Sequence, residues 1–403
     1  MTFLAFGTAP STLFLNLYFA KIGTDREFIG LVNTVIQLGG ALMILPAALL
    51  LDRIGRRAAI LIGGYGATLA WALAVILPLP NVILALLGIN GACLGLFGLA
   101  VVPMLAESST PRERTTLFSV SEGLTTLALF AGSIISGFAP LWLAPNIGPT
   151  GSDPESASVY RTVLLISAAI RLIGLLPLLW AREPTHTQSV SSSNVPIPTR
   201  PRFASYFNPF NLRKLKTPIF LFSIPMFIVF FAGSLIFPFL SLFLKERFGM
   251  SDSVVGTVLG LVNLSIGIGS LGAPIAVNAV GRGPVVVFGA LTSAVALAVI
   301  GFTPIFWLAA SLIILRAGVF NMIIPLYRAY VIDSAPSEEY TLVTLLLALS
   351  ANIGPAGAGW LSGRIQSQMG FDVPFIMAVI GYALAAIVFA YIFWLRRKHD
   401  VRV

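Results

Sequence analysis

Three ionisable side chains sit where a charge is costly. Glu122, Arg171 and Arg316 each lie inside a long apolar run. A run of roughly 20 such residues spans a bilayer, and an ionisable group within one is a functional candidate by default. Glu122 shares a helical face with Ser119, Thr126 and Ser133. Its carboxyl could load and release a proton. Arg171 lies at similar depth on the next, antiparallel run. It could close a buried ion pair with Glu122, or tune it. Arg316 has no acid at matching depth in its own half of the chain. A forked guanidinium facing a wet cavity suits an anionic group on a ligand. A pair with Glu122 across the chain, or bonds to backbone carbonyls, are the alternatives.

Neutral polar residues extend the pattern. Thr8, Thr12 and Asn16 recur every four residues, which puts them on one helix face. Asn33 and Gln37 do the same one run later, and Asn90, Asn263, Asn321 and Asn352 lie deep in other runs. Asn16, Gln37, Asn90, Asn263, Arg316, Asn321 and Asn352 are therefore the cavity candidates, with hydrogen-bonded contact between helices as the plainer role. Phe227, Phe230, Phe231, Phe237 and Phe239 crowd one run, and any that face inward suit an apolar or amphiphilic ligand. Catalytic chemistry is not in view. Cys93 stands alone in an apolar run, and His186 and His399 lie in polar segments. No metal-ligand spacing and no cluster of nucleophile, base and orienter is visible. The expectation is no enzyme, no metal and no cofactor.

The elements that must hold these residues follow from composition. Of 403 residues, 57% are hydrophobic and 10% charged, against about 25% charged in a soluble domain. A transmembrane barrel shows alternating segments of roughly ten residues, whereas these runs are continuous and longer. The fold class is an all-α polytopic membrane protein with twelve transmembrane helices in two six-helix bundles. The spans are expected near 2–20, 28–50, 58–77, 82–105, 116–139, 159–181, 218–243, 253–276, 284–302, 306–331, 341–362 and 373–395. Residues 1–181 form the first bundle and 217–403 the second, with a basic tail from Arg396. Between them, 182–216 is a linker, Ser-rich at Gln188–Asn194. Its aromatic and basic stretch Arg202–Lys216 reads as an interfacial amphipathic helix. The first span begins abruptly, as though its first turns were missing, and shows no signal-peptide pattern.

The net charge of +9 has a topological reading. Seventeen Lys and Arg residues fall on the side of Arg53, Arg56 and Arg57 and of the linker, and six on the other, namely Lys21, Arg26, Arg161, Lys245, Arg247 and Arg364. The positive-inside rule makes the richer side cytoplasmic, with both termini there, in a bacterial-type inner (plasma) membrane. The charge is for lipid headgroups and topology, not nucleic acid. A monomer is expected.

The chain also repeats itself. A shift of 226 residues places Gly30 on Gly256, Gln37 on Asn263, Gly55 on Gly281 and Arg56 on Arg282. Under the same shift Glu107 meets Asp333, Glu113 meets Glu339 and Asp52 meets Asn278. A duplicated six-helix unit is a transporter architecture, with a site between the halves near mid-membrane.

Between the second and third spans stands Ala48-Leu49-Leu50-Leu51-Asp52-Arg53-Ile54-Gly55-Arg56-Arg57. It resembles the signature Gly-x-Leu-Ala-Asp-Arg-x-Gly-Arg-Arg of the major facilitator superfamily. Asp52, Arg53, Gly55, Arg56 and Arg57 match, Ala48 replaces the first glycine, and the second copy keeps Asn278, Gly281 and Arg282. The resemblance covers essentially the whole chain. It implies alternating access by two rocking bundles, with the Asp52 turn gating the inner side and holding the outward-open state. Service of these arginines as topology anchors is compatible with that role. The drug-exporter features of that family, an arginine in the fourth span and Gly-Pro in the fifth, are missing, and so are sugar-porter signatures. With no phosphate-cradling loop, energy is expected from a gradient. The reading is a secondary transporter of a small solute, coupled to protons. The alternative is a non-transporting membrane module of this fold, a sensor or an assembly factor for pigment or lipid complexes.

Overall fold

In the computed structural model, residues 2–107, 113–147, 153–180, 219–335 and 339–400 are described, and among them there are helices and no strand. The first half comprises α1 (Thr2–Lys21), α2 (Arg26–Ile54), α3 (Arg56–Ile76), α4 (Pro80–Glu107), α5 (Arg114–Ile147) and α6 (Ala157–Leu175). The second comprises α7 (Ile219–Ser234), α8 (Leu240–Phe248), α9 (Asp252–Val280), α10 (Arg282–Phe302), α11 (Phe306–Asp333), α12 (Tyr340–Met369) and α13 (Asp372–Asp400). Among the described residues eleven stretches are long and apolar enough to cross a membrane. The eleventh expected span corresponds to α12, which is not one of those eleven stretches. The seventh span is not one helix. It breaks at a 3-10 turn, Phe237–Phe239, around Pro238, and resumes as α8. Proline lacks the amide that the helix ladder needs there. The linker 182–216, with its expected interfacial helix, lies outside the described residues.

The 226-residue repeat is carried in the helix bounds themselves. Moving α2, α3 and α4 by 226 reproduces both ends of α9, α10 and α11. Gly55 and Gly281 take the same conformation, φ 81° with ψ 166° and φ 86° with ψ 162°. Few side chains tolerate this region, and it is what lets one helix end and the next begin on a single residue. The Asp52 motif is therefore less a loop than two helix ends. Asp52 and Arg53 belong to the last turn of α2, Arg56 and Arg57 to the first turn of α3. Gly23 and Gly249, also 226 apart, cap the opposite end with φ of 88° and 66°.

Two antiparallel seams join the halves. In one, α2 packs on α12; in the other, α9 packs on α5. They are repeat mates, contact for contact. Gly30 meets Gly359 and Gly363, and Gly256 meets Ser133 and Gly137. A Cβ on Gly256 would stand 2.7 Å from the Gly137 Cα, and one on Gly30 would overlap the Gly359 carbonyl oxygen. Small residues let backbones approach this closely, so the seams gain dispersion contacts along their length.

Candidate functional site

The seams are tight at the end carrying Gly23 and Gly249, called the far end here. Their cross-seam glycine contacts run from there toward the motif end, where Gly55 and Gly281 lie. Deepest along them are Gly40 beside Asn352 and Gly267 beside Thr126. Hydrogen bonds and ion pairs cross between the halves at the far end and at mid-depth, among them Arg26 with Glu246, Tyr160 with Asp252 and Asn263 with Ser133.

Two ionic clusters close the far end, and α8 feeds both. Its Lys245 donates to Tyr160 Oη (3.0 Å) and lies 2.7 Å from Glu155, both of the first half, and 2.5 Å from Asp252. Tyr160 donates to Asp252 at 2.9 Å. Both Tyr160 and Asp252 are buried. Lys21 adds a second cation 3.8 Å from Glu155. The next residue, Glu246, pairs across the halves with Arg26, which also donates to the Gln366 carbonyl at 2.9 Å. Sequence reasoning took Lys21, Arg26 and Lys245 for topology anchors only. One signal was available: Arg26 and Asp252 are repeat mates of opposite charge.

Behind this closure lies a cavity of about 400 Å³. Its polar wall comes from the first half: Thr8, Ser11, Thr12 and Asn16 of α1, Asn33 and Gln37 of α2, Asn90 of α4 and Arg171 of α6. The second half contributes Ser234, Phe237, Pro238 and Pro355. A neighbouring cavity of about 250 Å³ shares Thr8, Leu94 and Arg171 and continues past Phe97, Thr125 and Leu129. Asn16 donates to the Pro238 carbonyl, an acceptor freed by the break in the seventh span. Asn33 donates to Ile29 O (2.8 Å), and Asn90 to Ala67 O (2.8 Å). Gln37 lines the cavity with no hydrogen bond to a described residue. Trp71, Ser11 and Phe237 join this wall, and no sequence pattern singles out Trp71 or Ser11.

Three other candidates lie elsewhere. Asn263 bridges the α5·α9 seam to Ser133 at 3.2 Å. Asn321 and Asn352 return their amides to their own helices, at Ala317 O and Ala348 O. These act as contacts between or within helices.

The expected Glu122–Arg171 ion pair does not form. Arg171 is buried, donates from Nε to the Gly7 carbonyl at 2.7 Å and bonds Ser11, and its guanidinium carbon lies 4.8 Å over the Trp71 ring. The reason is helix order. α1 packs against both α5 and α6, and Arg171 points to α1 and α3. Glu122 continues the α5 face that meets α9 at Thr126, Phe130 and Ser133, one turn beyond the last contact. It is exposed there, with no partner among the described residues. It stands one turn from Thr125, on the rim of the smaller cavity.

Arg316 is 2% exposed and forms neither the pair with Glu122 nor a bond to a described carbonyl. Instead its guanidinium carbon is caged by Phe237 (4.2 Å), Tyr382 (4.7 Å) and Phe320 (5.2 Å). Its Nε and one terminal nitrogen have no hydrogen-bond partner among the described residues.

At the motif end Arg53 is exposed, and Arg57 donates to the Leu179 carbonyl after α6. In the second copy Arg282 pairs with Asp333, the mate of Glu107. The Asp52 side chain lies outside the described residues. So do those of the tail from Arg396 and of both histidines.

Comparison with known proteins follows this geometry. The family model described as Major Facilitator Superfamily matches residues 1–233 and 222–403. No curated protein matches in sequence. Among solved structures, the nucleoside transporter NupG is similar at TM-score 0.75 and 16% identity, covering 98% of this chain and 97% of that one. A D-xylose-proton symporter is similar at TM-score 0.72 and 14% identity, covering 96% and 94%. At these identities the likeness is one of fold.

Proposed function

Because the chain belongs to the major facilitator superfamily, we propose that it is a proton-coupled secondary transporter of a small solute, with Glu122 as the proton carrier. Family membership supports the coarse class, a membrane transporter, and the solved structures share its fold. The single observation that supports coupling is the position of Glu122. It sits on a seam face, exposed, one turn beyond the last cross-seam contact and one turn from the cavity rim. The α5·α9 seam runs antiparallel, so zipping it one turn further brings Glu122 against α9 near Leu271. A carboxyl that is wet before closure and covered after it loads its proton on one side and releases it on the other. Burying it charged is costly, so closure favours the protonated form.

In this reading the motif end faces the cytoplasm and the structure is inward-facing, in a bacterial-type plasma membrane. The Asp52 motif engages in the opposite state, when the motif ends of the halves meet. The solute occupies the cavity between Asn16, Gln37 and Asn90 of the first half and Phe237 of the second. The protein works as a monomer. Purified protein in liposomes under an imposed pH gradient tests the coupling. Glu122→Gln is expected to abolish gradient-driven uptake and to keep solute exchange. Uptake that still follows the pH gradient in this variant would end the proposal.

A further inference from the structure

The cavity is lined by no Asp or Glu, yet Arg171 lines it and Arg316 lies behind Phe237, one of its lining rings. Arg171 and Arg316 are both buried, one from each half, and no carboxylate lies within ion-pair distance of either among the described residues. Both are mounted on the cavity through an aromatic ring. Arg171 lies over Trp71 and Arg316 over Phe237, and both rings line the cavity. A ring face offsets only part of the cost of a desolvated cation. Removing an ion from water costs more than such a contact returns. Two such cations in one membrane-embedded site therefore call for negative charge that the described residues do not supply.

The donors are also there to bind it. Arg316 keeps Nε and one terminal nitrogen without partners, a fork suited to two oxygens. Arg171 spends Nε and one terminal nitrogen on Gly7 and Ser11, and its other terminal nitrogen remains for a ligand. Phe237 covers Arg316 from the three-residue break in the seventh span. Phe237 is the lining ring that stands between Arg316 and the cavity, so a ligand reaches the guanidinium where that ring gives way. The cavity volume of about 400 Å³ suits a small molecule.

We infer that the cargo is a small organic oxyanion, a carboxylate or a phosphate, whose acid group is held by Arg171 and Arg316 against the rings of Trp71 and Phe237. This names the substrate class of the transporter proposed above and rests on that reading for the word cargo, while the binding itself does not. The neutral wall of Asn16, Gln37 and Asn90 then recognises the rest of the molecule.

Thermal unfolding of the purified full-length protein in detergent tests it without any need for transport. The probes are succinate, inorganic phosphate, and two matched pairs: D-glucuronate with D-glucose, and uridine 5′-monophosphate with uridine. Chloride at equal ionic strength is the control. At least one oxyanion is expected to raise the midpoint by several degrees, saturably, with its neutral partner shifting it by less than about one degree. Response to succinate or glucuronate alone assigns a carboxylate, and response to the phosphates alone assigns a phosphate. Arg171→Gln and Arg316→Gln are each expected to remove the shift. Each variant's midpoint without ligand reports whether it has folded. Where a Gln variant unfolds too early to read, the Lys variant at that position is expected to bind with a titration displaced about tenfold to higher concentration. No shift beyond chloride, equal shifts from neutral partners, or a shift that survives both Gln variants would overturn the inference. A protein that fails the pH-gradient assay yet shows the arginine-dependent shift keeps the anion site and loses only the coupling.

Discussion

The two seams between the halves have the same backbone and different chemistry. Gly30 against Gly359 and Gly363 in one is repeated as Gly256 against Ser133 and Gly137 in the other. At the far end, the α2·α12 seam is tied by Arg26 and Glu246, whose side chains are 29% and 38% exposed. Its mate is tied by Tyr160 of the first half, bonded to both Lys245 and Asp252 of the second, whose side chains are 12% and 6% exposed. Toward the motif end the mates diverge again. Glu122 of α5 corresponds to Ala348 of α12. Duplication supplied a symmetric way for two bundles to touch. In the function proposed above, the buried latch and the proton carrier fall on one seam, because a single copy of each charged group is enough and a second copy at a membrane-embedded seam would be costly.

The largest expected effect follows from burial. Lys245→Met leaves Asp252 and Glu155 without their common cation, and breaking a buried pair from one side costs about 3–5 kcal/mol. The thermal midpoint of the detergent-purified protein should fall by several degrees, far more than for Arg26→Met. Equal losses would break the distinction between a buried and an exposed latch. Next come the shared glycines. Gly30→Val and Gly256→Val should each cost about 1–3 kcal/mol or more through overpacking. Both should open the far end, read as faster labelling of a cysteine placed at Thr24. Opening by only one of them would show that the seams are not mechanical equals. Glu122→Gln should lower pH-gradient-driven uptake at least about tenfold, whereas Ala348→Gln on the other seam should change it less than about twofold. The smallest effect belongs to Arg26→Met, at about 0.2–1 kcal/mol for a half-exposed pair. A midpoint shift as large as that of Lys245→Met would mark Arg26 as a second buried-type latch.

Much of the frame was legible before any coordinates. Twelve spans follow from apolar runs, and the repeat follows from glycines and charges that survived at one offset. The wall of the cavity was readable where polar residues recur at helical spacing, as with Thr8, Thr12 and Asn16. Partner choice was not readable. Glu122 and Arg171 look matched by depth on consecutive spans, yet α1 lies between them, and depth says nothing about which face of a helix a side chain takes. Lys245 and Arg26 look like any basic residues at the end of a span, because a latch and a topology anchor have the same sequence.

What the sequence determined alone is the architecture, its duplication and the signature turn, since these depend on hydrophobic length, on residues a fixed distance apart and on glycines that must take positive φ at Gly55 and Gly281. Tertiary structure decided which end of the seams is closed, which arginines stand beside the cavity and where Glu122 emerges. Those facts depend on rotation of helices about their own axes and on contacts between residues more than a hundred positions apart, such as Tyr160 with Lys245, and no local pattern encodes either.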